Sequence, residues 1–316
     1  MLALAGGVGG ARLALGLAAV LTPRQLAIVV NTGDDFEHLG LTICPDLDTV
    51  VYTLAGVHNA QTGWGRADET WSAAATFAEL GAATWFRLGD RDLGMHVLRT
   101  QALRAGLPLS AVTQDFARRL GVRHAVIPMS DAPVRTRVLT ERGELAFQDY
   151  FVRLRCRPRV QGFRFAGIER ARIPPRLESV LASPRLRGVV VCPSNPYVSV
   201  APILGVPALR RWFASRRVPV VAVSPIVGGA ALKGPAAKMM RERGAEPSAL
   251  GIARHYGKLV DGWVIDRADA ALAASIEALG HAVHVSDTIM RGRTQSRRLA
   301  AEVTGFARRL ARRHAR

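Results

Sequence analysis

Residues able to do chemistry collect at the ends of this chain's apolar runs. Gly6-Gly7-Val8-Gly9-Gly10 follows Leu2–Ala5, and Asn31-Thr32-Gly33-Asp34-Asp35 follows the run from Ala27. Later runs are followed by Gly89-Asp90-Arg91-Asp92, Met129-Ser130-Asp131, Pro193-Ser194-Asn195-Pro196 and Ser224-Pro225-Ile226-Val227-Gly228-Gly229. A glycine-rich loop lets backbone N–H groups approach an anion, and the helix N-terminus behind it favours negative charge, so the first loop points to phosphate. Lys233, in Leu232-Lys233-Gly234-Pro235, is one of only three lysines and stands beside glycines, where an ammonium could neutralise a diphosphate. Asp34, Asp35, Asp46 and Asp48 put four acids into fifteen positions. Carboxylates this dense near a phosphate loop suit Mg²⁺, a hard ion held by few carboxylates plus phosphate oxygens. Any one of these loops reads equally well as turn formers and helix caps. Their repetition after strand upon strand points to one site.

The elements that position them follow from periodicity. Short apolar runs alternate with amphipathic stretches, the pattern of a parallel α/β sheet. Strands are expected at Leu2–Ala5, Ala27–Asn31, Thr84–Leu88, His124–Pro128, Gly188–Cys192, Val218–Val223, Trp263–Asp266 and His281–Val285. Helices are expected over Ala11–Leu21, Asp48–Ala55, Leu93–Ala105 and Ala268–Leu279, with Ser110 and Ser248 as N-caps of two more. In an open parallel sheet the carboxyl ends of the strands share one rim, where ligands bind at the switch point. The fold class expected is a doubly wound, mostly parallel Rossmann-like α/β sheet forming a single domain over 1–316. A small β-rich insertion at 134–175 interrupts it: Val134–Thr140, a turn at Glu141-Arg142-Gly143, then Glu144–Arg155 in rough period two. Residues 305–316 read as a basic helical tail.

Composition removes several function classes. A chain of 316 residues that is 49% hydrophobic can bury a sizeable core, which argues against disorder. Three widely spaced cysteines, Cys44, Cys156 and Cys192, make no disulfide framework or zinc motif and fit a reducing cytoplasm. The apolar N-terminus lacks a basic n-region and carries Arg12 mid-run, so it does not read as a signal peptide, and no charge-free apolar run reaches membrane-spanning length. The net charge of +18 raises the question of nucleic acid, yet all but three of the 43 basic residues are arginine, a skew that looks like coding bias. No nucleic-acid motif accompanies it, and no nucleic-acid partner is expected. A dinucleotide fingerprint starting at Gly7 fails at Arg12, and Asn31 replaces the ribose-binding acid; no Walker lysine motif is present. His281 and His284, three apart on a strand, point to opposite faces and cannot share a metal. Trp64 and Trp71 offer a stacking surface for a planar ligand, with core packing an equal reading for Trp71.

Strings at these positions resemble the 2-phospho-L-lactate transferase family. They are Gly6–Arg12, Asn31–Asp35, Cys44-Pro-Asp-Leu-Asp-Thr49, Leu88-Gly-Asp-Arg-Asp92, Pro128–Asp131, Pro193–Pro196, Ser224–Gly228 and Lys233–Pro235, running in order from residue 2 to about residue 307. The resemblance implies transfer of a phospho-carboxylate group from a guanosine diphosphate-linked donor to the ribityl hydroxyl of the deazaflavin 8-hydroxy-5-deazariboflavin. GMP is released, Mg²⁺ is required, and the product leads to coenzyme F(420). It implies that Asp48 contacts deazaflavin and metal, that Arg87 contacts deazaflavin and that Asp34 is a second metal-associated acid. Gly7, Gly9, Gly10, Ser194, Asn195, Ser224 and Gly228 would hold the guanosine diphosphate moiety. A homodimer also fits the family. Archaeal members often carry Gly-Gly-Thr-Gly-Thr-Pro-Lys in the first loop, whereas Gly6–Arg12 has the bacterial style. The donor is therefore open among phospholactate, phosphoenolpyruvate and 3-phosphoglycerate types.

In-line attack on the donor's β-phosphorus needs positioning and charge neutralisation rather than a nucleophilic side chain. Asp34 and Asp48 with Mg²⁺, together with Lys233, would supply that charge. Asp48 or Asp35 would accept the hydroxyl proton, and the division between base and ligand stays open. Two competing functions are a regulatory sugar-nucleotide binder of the gluconeogenesis-factor type and an NAD(P)-dependent oxidoreductase. The motifs around Asp48 and Asp90 count against the first, Arg12 and Asn31 against the second.

Overall fold

The computed structural model describes residues 1–314; Ala315 and Arg316, the end of the expected basic tail, lie outside the described residues. Seven strands form one parallel sheet. From one edge they are Ala282–Ser286, Gly262–Asp266, Val220–Val223, Val189–Val191, Leu2–Ala5, Ala27–Val30 and Ala125–Pro128. In chain order this is 3-2-1-4-5-6-7, a doubly wound arrangement whose direction reverses between Leu2–Ala5 and Val189–Val191.

Strict two-residue alternation divides the core between the two faces of the sheet. Leu2, Leu4, Val29 and Val191 face one apolar cluster, shared with the insertion and the segment Pro196–Ser215. Ala3, Ala5, Ile28 and Val30 face the other, under the helices Gly7–Val20, Pro45–Ala55 and Arg293–His314. All four residues of Leu2–Ala5 are fully buried, as a central parallel strand covered on both faces requires. Helix Gly7–Val20 lies against Arg293–His314 because Gly16 has no Cβ; one there would strike the Ser296 carbonyl. The basic tail is thus more than a solvated end. Phe306, Ala307 and Leu310 are buried while Arg308, Arg309 and Arg312 remain exposed. Among the described residues no helix is long and apolar enough to cross a membrane.

Seven of the eight expected strands form, within a residue or two of their expected ends. Thr84–Leu88 does not. Trp85 and Phe86 pack instead against Phe36 and His38, with ring centroids 4.8 Å apart for Phe36–Phe86 and 5.3 Å for His38–Trp85. In the sheet Ala27–Val30 pairs directly with Ala125–Pro128, with no strand from residues 84–88. Ser110 is not an N-cap: its helix starts at Leu109, and its hydroxyl and amide both donate to Asp131. Ser248 does cap its helix, accepting from the Gly251 amide at 3.0 Å. Ala268–Leu279 divides into a 3₁₀ segment, Arg267–Leu272, and the short helix Ala273–Glu277. The insertion is a three-stranded antiparallel sheet of Arg135–Thr140, Gly143–Ala146 and Val160–Ala166. Its second strand stops at Ala146, and Asp149–Arg153 forms a π-helical turn where continued alternation was expected.

Candidate active site

A cavity of about 660 Å³ opens at the carboxyl rim, over the switch point. Its floor is made by two loops packed on each other. The helix Gly7–Val20 begins inside the glycine loop, with Gly7 at φ +61°. The Gly6 amide donates to Ser194 Oγ (3.1 Å), which donates back to the Gly6 carbonyl (2.8 Å). A Cβ on Gly9 would meet the Pro193 carbonyl, and one on Gly10 would come within 2.5 Å of Ser194 Oγ. The glycines are therefore needed for loop-on-loop packing as well as for ligand approach. Gly7, Gly9, Ser194, Asn195 and Ser224 line the cavity. Gly10 and Gly228 do not. Gly10 faces Ser194, and the Gly228 amide is bonded to the Asp269 carboxylate at 3.2 Å. Asn195 caps the π-helical turn Pro196–Val200 through Oδ1, and the Ser224 hydroxyl closes its own turn onto the Ile226 carbonyl.

Two carboxylates face the cavity, Asp34 and Asp46. Asp46 accepts from the Gly7 amide (2.7 Å) and from Asn31 Nδ2 (2.9 Å). Burial pushes its carboxyl up to about 6 against the pull of those two donors. Asn31 thus holds Asp46 from the strand end where a dinucleotide enzyme would place an acid. Asp34 lies well above the usual carboxylate range, first because it is buried and then because Asp46 is close. Its Oδ1 has no hydrogen-bond partner. Asp35 does not line the cavity; burial raises it to about 7, partly offset by Arg135 and by a hydrogen bond with Cys44.

Asp48 lies outside the cavity lining, in a buried cluster. Arg99 pairs with both its oxygens, donating from Nη1 at 3.1 Å and also from Nη2. His96 stands 3.8 Å from Asp48 through Nδ1 and 3.3 Å from Asp92 through Nε2, and Tyr52 donates to Asp92 at 2.6 Å. Asp48, Asp92 and His96 each offer an atom within 4.8 Å of the others, a spacing a cation could use. The Arg99 guanidinium already neutralises Asp48 there. The structure therefore brings Asp34 together with Asp46, and not with Asp48, the pair the sequence put forward.

Arg87 lines the cavity with its guanidinium 4.3 Å from the Trp71 ring centroid. Reciprocal capping holds this pair. Asp90 accepts from the Ser72 and Ala73 amides, while Glu69 accepts from those of Arg91 and Asp92. Gly89 leaves room for Glu69, into which a Cβ would intrude. Much of the string Leu88–Asp92 is thus a latch. Lys233 also lines the cavity and donates to the Thr62 carbonyl at 2.7 Å. Sequence reasoning missed the aromatic wall. Trp85 and Phe86 read as strand, and Phe147 and Phe151, stacked at 5.4 Å, come from the insertion. Gln148 between them donates to the Asp34 backbone carbonyl at 3.2 Å. Trp64, expected to be a stacking surface, is half exposed and on the wall. A second depression of about 580 Å³ lies at the amino ends of the strands, beside Thr22 and His124, away from this chemistry.

Comparison with known proteins identifies the family. Residues 1–302 match the family model described as 2-phospho-L-lactate transferase CofD. The chain is 44% identical over 283 residues to the phosphoenolpyruvate transferase of Streptomyces griseus, covering 88% of each. It is 41% identical to the phosphoenolpyruvate transferase of Streptomyces avermitilis over 96% of this chain and 97% of that one. It is 35% identical to the 2-phospho-L-lactate transferase of Methanosarcina mazei, over 95% and 98%. The crystal structure of a UPF0052 family protein from Bacillus halodurans superposes with a TM-score of 0.62 at 14% identity, over 96% of this chain and 97% of that one, a likeness of fold alone. The chain belongs to the 2-phospho-L-lactate transferase CofD family and is a transferase.

Proposed function

We propose that the protein transfers a phospho-carboxylate group from a guanosine diphosphate-linked donor to the ribityl hydroxyl of 8-hydroxy-5-deazariboflavin. GMP is released, in a step of coenzyme F(420) biosynthesis. The observation that carries this reading is the polarity of one cavity. The first turn of helix Gly7–Val20 and Lys233 make an anion-binding end, and Trp85, Phe86 and Phe147 make an aromatic, apolar wall. Asp46 is bonded to the anion end through the Gly7 amide, and Asp34 to the aromatic side through Gln148. A diphosphate donor and a flat acceptor would meet at those two carboxylates. We assign the donor to the phosphoenolpyruvate type, because relatives of that name are 44% and 41% identical against 35% for the phospholactate relative.

Asp34 and Asp46 fit a divalent cation: both are buried, neither has a cationic partner, and Asp34 Oδ1 is unpaired. Mg²⁺ bound there would neutralise charge on the donor's phosphate oxygens. The chain's own groups do the rest. Amides of the first helical turn and Lys233 hold the diphosphate, and Arg87, braced by Trp71, orients the acceptor. The hydroxyl proton has carboxylate destinations on the same wall, a task for which Asp35 is not placed. Asp48, tied to Arg99, serves by fixing the start of helix Pro45–Ala55, from which Asp46 and Thr49 reach the cavity.

The test is to incubate the protein with deazaflavin, Mg²⁺ and each candidate guanosine diphosphate-linked acid, then weigh the product. Adduct mass with stoichiometric GMP from the phosphoenolpyruvate-type donor is expected. No deazaflavin binding, followed by its fluorescence, would exclude the transfer and leave a nucleotide-binding role.

A further inference from the structure

Arg12 is a half-buried guanidinium on the cavity wall that forms no ion pair among the described residues. Its Nη1 donates to the Met290 carbonyl at 2.8 Å, which fixes the side chain and leaves other N–H groups unused. Buried Arg99 is neutralised by Asp48, and Arg216, partly buried like Arg12, by Asp261. Arg12 has cations for neighbours instead. The Lys233 ammonium is lowered first by its own partial burial and then by the Arg12 charge, and His58 is lowered by burial and then by Arg12 and Arg293. Lys233 Nζ sits over the first turn of the same helix: a Cβ on Gly63 would lie 2.9 Å from Nζ and 2.8 Å from Val8 Cγ1. Arg12 is four residues after Val8, hence on the same helix face one turn along. Two cations converge on one wall beside free helical amides, with no acid to offset them. Such an arrangement is unfavourable in the empty protein and is relieved by an anion.

We infer that Arg12 and Lys233 form a two-cation clamp on the donor's diphosphate, with Arg12 on the leaving GMP side. This rests on the proposed transfer reaction and names a catalytic residue for it. In the step, the acceptor oxygen bonds to the β-phosphorus as the bond from that phosphorus to the bridging oxygen breaks. The bridging oxygen departs on the α-phosphate with the electron pair, and the acceptor proton passes to a cavity carboxylate. Negative charge thus accumulates on the GMP phosphate as the bond breaks, where a guanidinium fork binds more tightly than in the ground state.

Arg12→Met and Arg12→Lys are compared with the unaltered protein for GMP release, GDP affinity by calorimetry and deazaflavin affinity. A loss of about 10²-fold in kcat is expected for Arg12→Met, the scale for removing one donor to a developing charge. GDP affinity falls roughly tenfold, one charge-assisted contact, deazaflavin affinity and Tm hold, and Arg12→Lys recovers part of kcat. An Arg12→Met variant with unchanged kcat and GDP affinity would overturn the clamp. So would a defect confined to carboxylate-bearing donors, with a guanosine diphosphate alkyl ester turned over normally; Arg12 would then bind the carboxylate. If the unaltered protein binds GDP in an Arg12-dependent way yet releases no GMP from any donor, the transfer reading fails and the clamp stands.

Discussion

Residues 34–48 contribute acids to two clusters of opposite character. Asp34 and Asp46 face the cavity with no cationic partner; burial raises both, and the nearby Asp46 raises Asp34 further. Asp48, joined by Asp92, sits behind them with Arg99, His96 and Tyr52. There Asp92 is held below the usual carboxylate range: its own burial works against this, and the contact with His96 and the hydrogen bond from Tyr52 prevail. A buried carboxylate left without compensation is costly, which is why the cavity pair suits the cation proposed for it. A compensated one braces the fold.

The largest effect that tests this contrast is at the open pair. Asp34→Asn or Asp46→Asn should lower Mg²⁺-dependent GMP release by roughly 10³-fold or more, as loss of a principal charge-stabilising group does. Tm should hold or rise, since an acid whose ionisation is disfavoured by burial is replaced by a neutral amide. Activity within tenfold of the unaltered protein would take the pair out of the chemistry. At the closed cluster the expected damage is to stability. Arg99→Met strands Asp48 and should cost about 3–5 kcal/mol, read as a lower midpoint in urea. An unchanged midpoint would show that the ion pair does not brace the fold.

A third measurement concerns pH. Asp35 is held at about 7 in the folded protein against an ordinary 3.8, so the native state keeps its proton where the unfolded chain has lost it. The resulting stabilisation is complete below pH ~4, in the range of the unfolded value. It is lost as pH rises through the folded value, about 7. Asp35→Asn should flatten that decline, by at most ~4 kcal/mol at 1.36 kcal/mol per unit. Parallel stability curves for the two proteins between those limits would refute the assignment. The smallest effect is expected at Trp71→Ala, which removes the face under Arg87. Such contacts are worth about 0.5–1 kcal/mol at exposed sites, so deazaflavin affinity should fall a few-fold while kcat holds. A fall in kcat with affinity intact would contradict an acceptor-orienting role.

Much of the frame was legible because local rules and tertiary demands agree. The runs at Leu2, Ala27, Gly188 and Val218 are continuous and apolar because central parallel strands are covered on both faces. The loops after them carry glycine because two such loops must touch, as Gly9 and Gly10 do with Pro193 and Ser194. Thr84–Leu88 misled because an apolar, aromatic run has the same local signature whether it enters a sheet or packs its rings against Phe36 and His38. The aromatic wall from Phe147 and Phe151 escaped notice because its contribution depends on where the insertion folds back, which no local pattern encodes.

By itself the sequence determined the α/β class, the family and the rim on which the site lies, since these follow from periodicity and from motifs in order along the chain. The tertiary structure alone decided which of four neighbouring aspartates face the cavity. Pro45–Ala55 is a helix, so Asp46 and Asp48 diverge around its axis: one meets the Gly7 amide and the cavity, the other meets Arg99 from a distant helix. Spacing of two residues cannot announce that divergence. The partner that neutralises Asp48 lies fifty-one positions away, and only folding brings it there.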